Sequence, residues 1–270
     1  TLGIHAESWR WAFYIVVIPG LVLGLWSFFM KEPPRGQADL GPGARVAKVN
    51  WRTYLVFLRT PSYVFCTLGM TAMTFAVGGI AFWMAYFLKH KTGAPEFVKT
   101  IFGAITVVAG ISATLLGGWV GDKLRPRIPG SYFLVSGLGM LAGFPFMLLT
   151  VTASFPMIWV WLFLTCFCLF FNTGPTNTIL ANVTHPGIRA AAFALNIFVI
   201  HAFGDVISPV LIGIISDKYS MTTAFMVVGG MFVVSGILWA CGARHLARDT
   251  ALAPTRLSLT GNSTPSASLR

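Results

Sequence analysis

His201 and Asp205 stand four residues apart within the apolar run Ala190 to Ile215. On a helix that spacing puts both side chains on one face, one turn apart, and Ser208 continues the face. An imidazole changes charge near neutral pH, so His201 could carry a proton or contact an anionic head group. The plainer alternative is that the two residues pair with each other, or with backbone freed by Pro209, and only lock the helix. With Arg189 as the cytoplasmic boundary and a rise of about 1.5 Å per residue, His201 lies about 18 Å deep and Asp205 about 24 Å. An ionisable group at membrane depth is costly and by default points to a cavity or a partner.

A second polar group lies in NTGPTNT, where Asn172, Thr173, Thr176 and Asn177 form two adjacent stripes around Gly174-Pro175. A helix break at membrane depth is tolerated where backbone lines a cavity. These residues either offer hydrogen bonds to a substrate or join helices to one another. Trp83 closes an apolar run near an outer boundary, where aromatic belts are common. Gly103, Gly110 and Gly117 recur every seven residues with Gly121 four beyond, and read as a packing seam. Cys66, Cys166, Cys168 and Cys241 all fall in apolar runs, and Cys166 and Cys168 point to different faces, so no metal site is expected. There is no HExxH helix and no GxSxG elbow, so an intramembrane enzyme is disfavoured and no cofactor is expected.

The elements that must hold these residues follow from composition. The chain is 56% hydrophobic and 10% charged, with mean hydropathy +0.75. Soluble domains carry about a quarter charged residues. Apolar runs of about 20 residues between short polar loops indicate spans, because a helix satisfies its own backbone in lipid. Seven such runs occur: Trp11 to Met30, Tyr63 to Leu88, Ile101 to Gly121, Tyr132 to Thr152, Pro156 to Ala181, Ala190 to Ile215 and Ala224 to Gly242. The fold class is therefore all-α integral membrane with seven transmembrane helices. The net charge of +11 is resolved by its distribution. With the loop after the first run in the cytoplasm, 14 basic residues lie inside and 5 outside. That bias places the N-terminus outside and the tail inside, and nucleic acid is not needed to explain the charge.

The expected organisation is one helix over residues 1–31, a cytoplasmic linker with a surface helix over 32–60, and a six-helix unit over 61–246. A disordered tail rich in Ser, Thr, Pro and Ala fills 247–270. The missing initial methionine suggests the C-terminal part of a longer chain. A complete seven-helix lipid-binding receptor or scaffold is the competing non-transport reading, disfavoured by the long basic Pro-rich loop after the first run.

GGWVGDKLRPR, residues 117–127, ends the third run at the cytoplasmic side, and Gly118, Asp122 and Lys123 fit GxxxD(R/K). This resembles the loop signature of the major facilitator superfamily, although Arg125 and Pro126 depart from its usual form. Glycine lets two helices approach, and a carboxylate can cap a neighbouring helix N-terminus in one closed state, with Arg189 as a possible ion partner. The alternative is that Asp122 and Lys123 merely end a helix. WRWAFYIVVIPG with EPPRG, TPSYVFCTLGMTAMTFAVGGIAFW, FGAITVVAG and NIFVIHAFGDVISPVLIGIISD narrow the resemblance to the Spinster branch, from Trp9 to Lys218. The resemblance implies a major-facilitator-type bundle, of which this chain is the last helix of one half plus the other half. It also implies alternating-access transport of an amphipathic, lysolipid-like molecule, proton-linked or facilitated, and makes Trp83, in GGIAFW, a candidate for the cavity wall. The expected location is the plasma membrane, among membrane lipids. An organic anion, sugar or drug is the alternative substrate.

Overall fold

In the computed structural model, residues 8–31, 51–92 and 97–256 are described, and they are helical with no strand among them. The chain divides into two units, residues 1–45 and 46–270, each taken by itself. In the first, α1 (Ser8–Ser27) is a 20-residue helix with Pro19 inside it. Its apolar part, Phe13–Ser27, is shorter than the spans of the second unit.

The second unit begins with α2 (Trp51–Leu58). Then come α3 (Pro61–Thr92), α4 (Phe97–Leu124), α5 (Ser131–Thr152), α6 (Ile158–Phe170) and α7 (Thr173–Val183). After them follow α8 (Arg189–Ile200), α9 (Ser208–Lys218), α10 (Met221–Gly242) and α11 (Leu246–Leu252). Among the described residues, six stretches can cross a membrane by length and composition, with α6 and α7 forming one and α8 and α9 another. The chain is a multi-pass, all-α membrane protein.

The core forms where α10 packs between α3 and α5. Small residues permit it. Trp239 is fully buried against Gly69, where any Cβ would collide with the indole. The indole Nε1 donates to the Cys66 carbonyl at 3.2 Å, and Ser235 Oγ donates to the Gly69 carbonyl at 2.8 Å. On the other side Gly137 lies against the Gly236 carbonyl and Gly143 against Phe232. Close backbone approach with few polar bonds is how helices associate where lipid gives no hydrophobic drive.

Two expectations change here. The surface helix of the linker is α2, and it is not a free surface element: Thr53 and Phe57 are buried, and Phe57 stacks on Tyr63 at 5.2 Å. Residues 32–50 of the expected linker lie outside the described residues. The tail expected to be disordered from Ala247 is ordered to Arg256, because α11 carries a buried ion pair. Asp249 Oδ1 meets Arg256 Nη2 at 2.6 Å, and Asp249 Oδ2 accepts the Ser62 backbone N–H at 2.8 Å. Arg256 Nη1 donates to Thr60 Oγ1 at 2.7 Å. The carboxylate thus sits at the N-terminus of α3, where the helix dipole favours negative charge. Residues 257–270 lie outside the described residues.

Candidate functional site

The stretch from α8 to α9 does not run as one regular helix. Between them His201–Asp205 forms a π-turn, in which the Val206 N–H reaches back five residues to the His201 carbonyl at 3.2 Å. Pro209 has no N–H, so the Asp205 carbonyl lacks its regular helical donor, and the Ser208 hydroxyl approaches it only at 3.5 Å. The turn lies on α3 backbone to backbone. A Cβ at Gly204 would meet Thr74 Cβ at 2.9 Å and the Thr71 carbonyl at 3.0 Å, and one at Gly78 would meet Asp205 Cα at 2.7 Å. Single π-turns inside α-helices recur at functional sites.

The helix flanking each side of the turn is tied to α3. Tyr63 Oη donates to the Ala192 carbonyl at 2.8 Å and Thr67 Oγ1 to Asn196 Oδ1 at 2.9 Å, which fixes α8. Trp83 Nε1 donates to the Pro209 carbonyl at 2.9 Å, which fixes α9. Asn196 is 1% exposed and carries no signal in the sequence that separates it from an ordinary interfacial amide.

Beside the turn is a cavity of about 620 Å³. Its polar lining is Thr74, Thr114, Thr173, His201 and Asp205. The rest comes from apolar side chains, among them Val77, Ile111, Phe170 and Ile200, and from Gly110. His201 Nδ1 lies 2.9 Å from Asp205 Oδ2, and the two side chains are 55% and 33% exposed. The two residues thus bond to each other and also face open space. With Asp205 as carboxylate acceptor, Nδ1 carries its hydrogen and Nε2 is the nitrogen left for a further partner.

The other candidates fall elsewhere. Asn172 is fully buried, its Nδ2 donating to the Leu169 carbonyl at 2.7 Å, and Thr176 is buried with Oγ1 bonded to the Asn172 carbonyl at 2.9 Å. Asn177 is exposed and donates to the Thr173 carbonyl at 2.9 Å. Of that polar segment it is Thr173 that lines the cavity. Trp83 is half-buried, packed near Gly213, and not in the lining.

At the C-terminal end of α4, Asp122 Oδ1 accepts from Tyr132 Oη at 2.8 Å, in the first turn of α5. Arg125 lies over the Tyr132 ring at 5.2 Å, and Lys123 over Trp119 at 4.6 Å. Gly174 of α7 crosses α4 closely here: a Cβ on it would sit 3.2 Å from the Gly118 Cα, while a Cβ on Gly118 itself would meet nothing within 4 Å. Arg189 opens α8, partly buried. The short turn before it is capped by His185, whose Nδ1 accepts the Gly187 N–H at 3.0 Å. Burial, and after it the Arg189 charge, lowers the His185 pKa below its usual value.

Residues 2–204 match the family model of the Major Facilitator Superfamily. The chain belongs to this superfamily. Among curated relatives it is 36% identical over 237 residues to protein spinster homolog 3 of Danio rerio, covering 82% of this chain and 47% of that protein. It is 32% identical over 235 residues to the sphingosine-1-phosphate transporter SPNS2 of Mus musculus, covering 81% and 43%. The chain spans about half the length of the curated relatives it matches. Its fold is similar to a crystal structure of a bacterial homolog of the human lysosomal transporter Spinster, in an inward-facing, unoccupied conformation. That match has TM-score 0.59 and 18% identity, and covers 98% of this chain and 63% of the other. Members of this superfamily are transporters rather than enzymes.

Proposed function

We propose that this chain supplies one wall of an alternating-access pathway for an amphipathic, lipid-like molecule, with the His201–Asp205 pair as the polar contact and the proton-carrying group. The observation that carries the proposal is the cavity itself: about 620 Å³, apolar apart from three threonines and one ionisable pair. That volume lies within the range of small-molecule sites, and a single polar locus in an apolar wall suits a ligand with one head and one chain. Similarity to a sphingosine-1-phosphate transporter supports the same substrate class. Asp122, Lys123 and Arg125 at the α4–α5 corner form the gate in this reading, with Gly118 lying where Gly174 crosses α4 and Arg189 opening the helix that leads to His201. The basic bias supports a cytoplasmic position for this corner and the C-terminus, and the plasma membrane is the location in this reading.

The test is uptake of a labelled lysophospholipid by the full-length protein reconstituted in liposomes, with and without a proton gradient. His201→Ala is expected to lower uptake about tenfold or more and to flatten its pH dependence, while membrane insertion is unchanged. Uptake by His201→Ala equal to wild type across pH would remove the role given to His201.

A further inference from the structure

The glycines of α4 look alike in sequence but meet different surroundings. At Gly117 a Cβ would run into the Phe171 carbonyl oxygen, and at Gly121 it would reach the Tyr132 ring at 2.7 Å. These two positions are glycine because neighbouring helices occupy the space. At Gly110 the nearest atoms to a Cβ are carbons of the Phe170 ring, at 3.7–4.0 Å, which is ordinary contact. Helix packing does not exclude a methyl group there. Glycine inside a helix is also less favourable than alanine, so packing and propensity both leave Gly110 unexplained.

Gly110 and Phe170 both line the cavity that holds His201 and Asp205. A side chain at position 110 would occupy the space beside Phe170, while a hydrogen leaves it to the cavity. We infer that Gly110 determines the length of the apolar chain the cavity accepts: its missing side chain, with Phe170 and Ile111 as walls, forms the slot for the end of the ligand remote from its polar head. This rests on the lipid-like reading proposed above. It assigns selectivity to a residue that makes no polar contact and leaves head-group recognition to the His201 side of the lining.

The experiment compares uptake of an oleoyl and an octanoyl lysophospholipid by the reconstituted full-length protein, as wild type and as Gly110→Ala, Gly110→Val and Gly110→Leu. The oleoyl-to-octanoyl ratio of kcat/KM is expected to fall in that order, reaching about tenfold or more below wild type at leucine, since one or two methylenes shift pocket discrimination by that much. If the leucine variant does not insert, the alanine and valine variants carry the same ordered fall. An unchanged ratio, or equal loss of both substrates across the series, overturns the role of Gly110 and leaves the lipid-like reading standing. A wild-type protein that moves neither probe overturns that reading and this inference with it.

Discussion

Nδ1 of His201 is committed to Asp205, so a proton or a ligand arriving at the imidazole must use Nε2 or displace the carboxylate. Either event acts on a pair held on a turn that already departs from α-helical bonding. His185 presents the contrasting case outside the spans. Its Nδ1 is an acceptor for Gly187, so the cap exists only with a neutral ring. Its pKa is lowered by burial and then by Arg189, so the folded state binds the proton less readily than the unfolded chain. The stabilisation it gives is complete above the ordinary histidine value of 6.5 and is lost as pH falls through the lowered folded value. Hydrogen exchange at Gly187, corrected for intrinsic rate, should show protection above that pH and progressive loss below it. Protection independent of pH would mean the cap does not depend on ring ionisation.

Among the elements, the α4 crossing and the α11 clip respond to substitution for different reasons. Gly117→Ala places a methyl against the Phe171 carbonyl, which neither helix can yield without separating. Overpacking of this kind costs about 1–3 kcal/mol, so thermal unfolding in detergent should show a clear fall in Tm, whereas Gly110→Ala should leave Tm near wild type. The clip works through charge. Asp249 and Arg256 are almost fully buried, and the Arg256 Nε, Ser62 Oγ, Thr184 Oγ1 and Thr250 Oγ1 atoms around them are buried without a hydrogen-bond partner. Asp249→Asn keeps an acceptor for the Ser62 N–H but leaves the guanidinium unneutralised, at a cost of about 3 kcal/mol. Hydrogen exchange should then rise in residues 246–256 and at the start of α3 together. A rise confined to α11 would show that the pair holds only its own helix.

For the whole molecule, the chain spans about half the length of the curated relatives it matches, and His201 stands exposed beside its cavity. A transport pathway of the superfamily kind is enclosed by two repeats around a midplane site. The six spans of the second unit form one packed body around α3 and α10.

Sequence alone determined the membrane class and the span positions, because lipid allows few backbone solutions and apolar length reports them directly. It also placed His201 and Asp205 on one face, since a spacing of four is nearly a helical turn, and a π-turn does not undo that proximity. What it could not separate was Asn172 and Thr176 from Thr173, or Gly110 from Gly117. Each of these pairs shares a residue type or polarity and differs only in which neighbouring helix stands opposite. The same holds for the tail: composition up to Arg256 resembles a disordered segment, yet Asp249 finds its partners at Ser62, 187 residues away, and at Arg256. Composition and periodicity are local, whereas the partner of a buried charge and the space beside a glycine are decided by segments far apart in the chain. Only the tertiary structure brings those segments together.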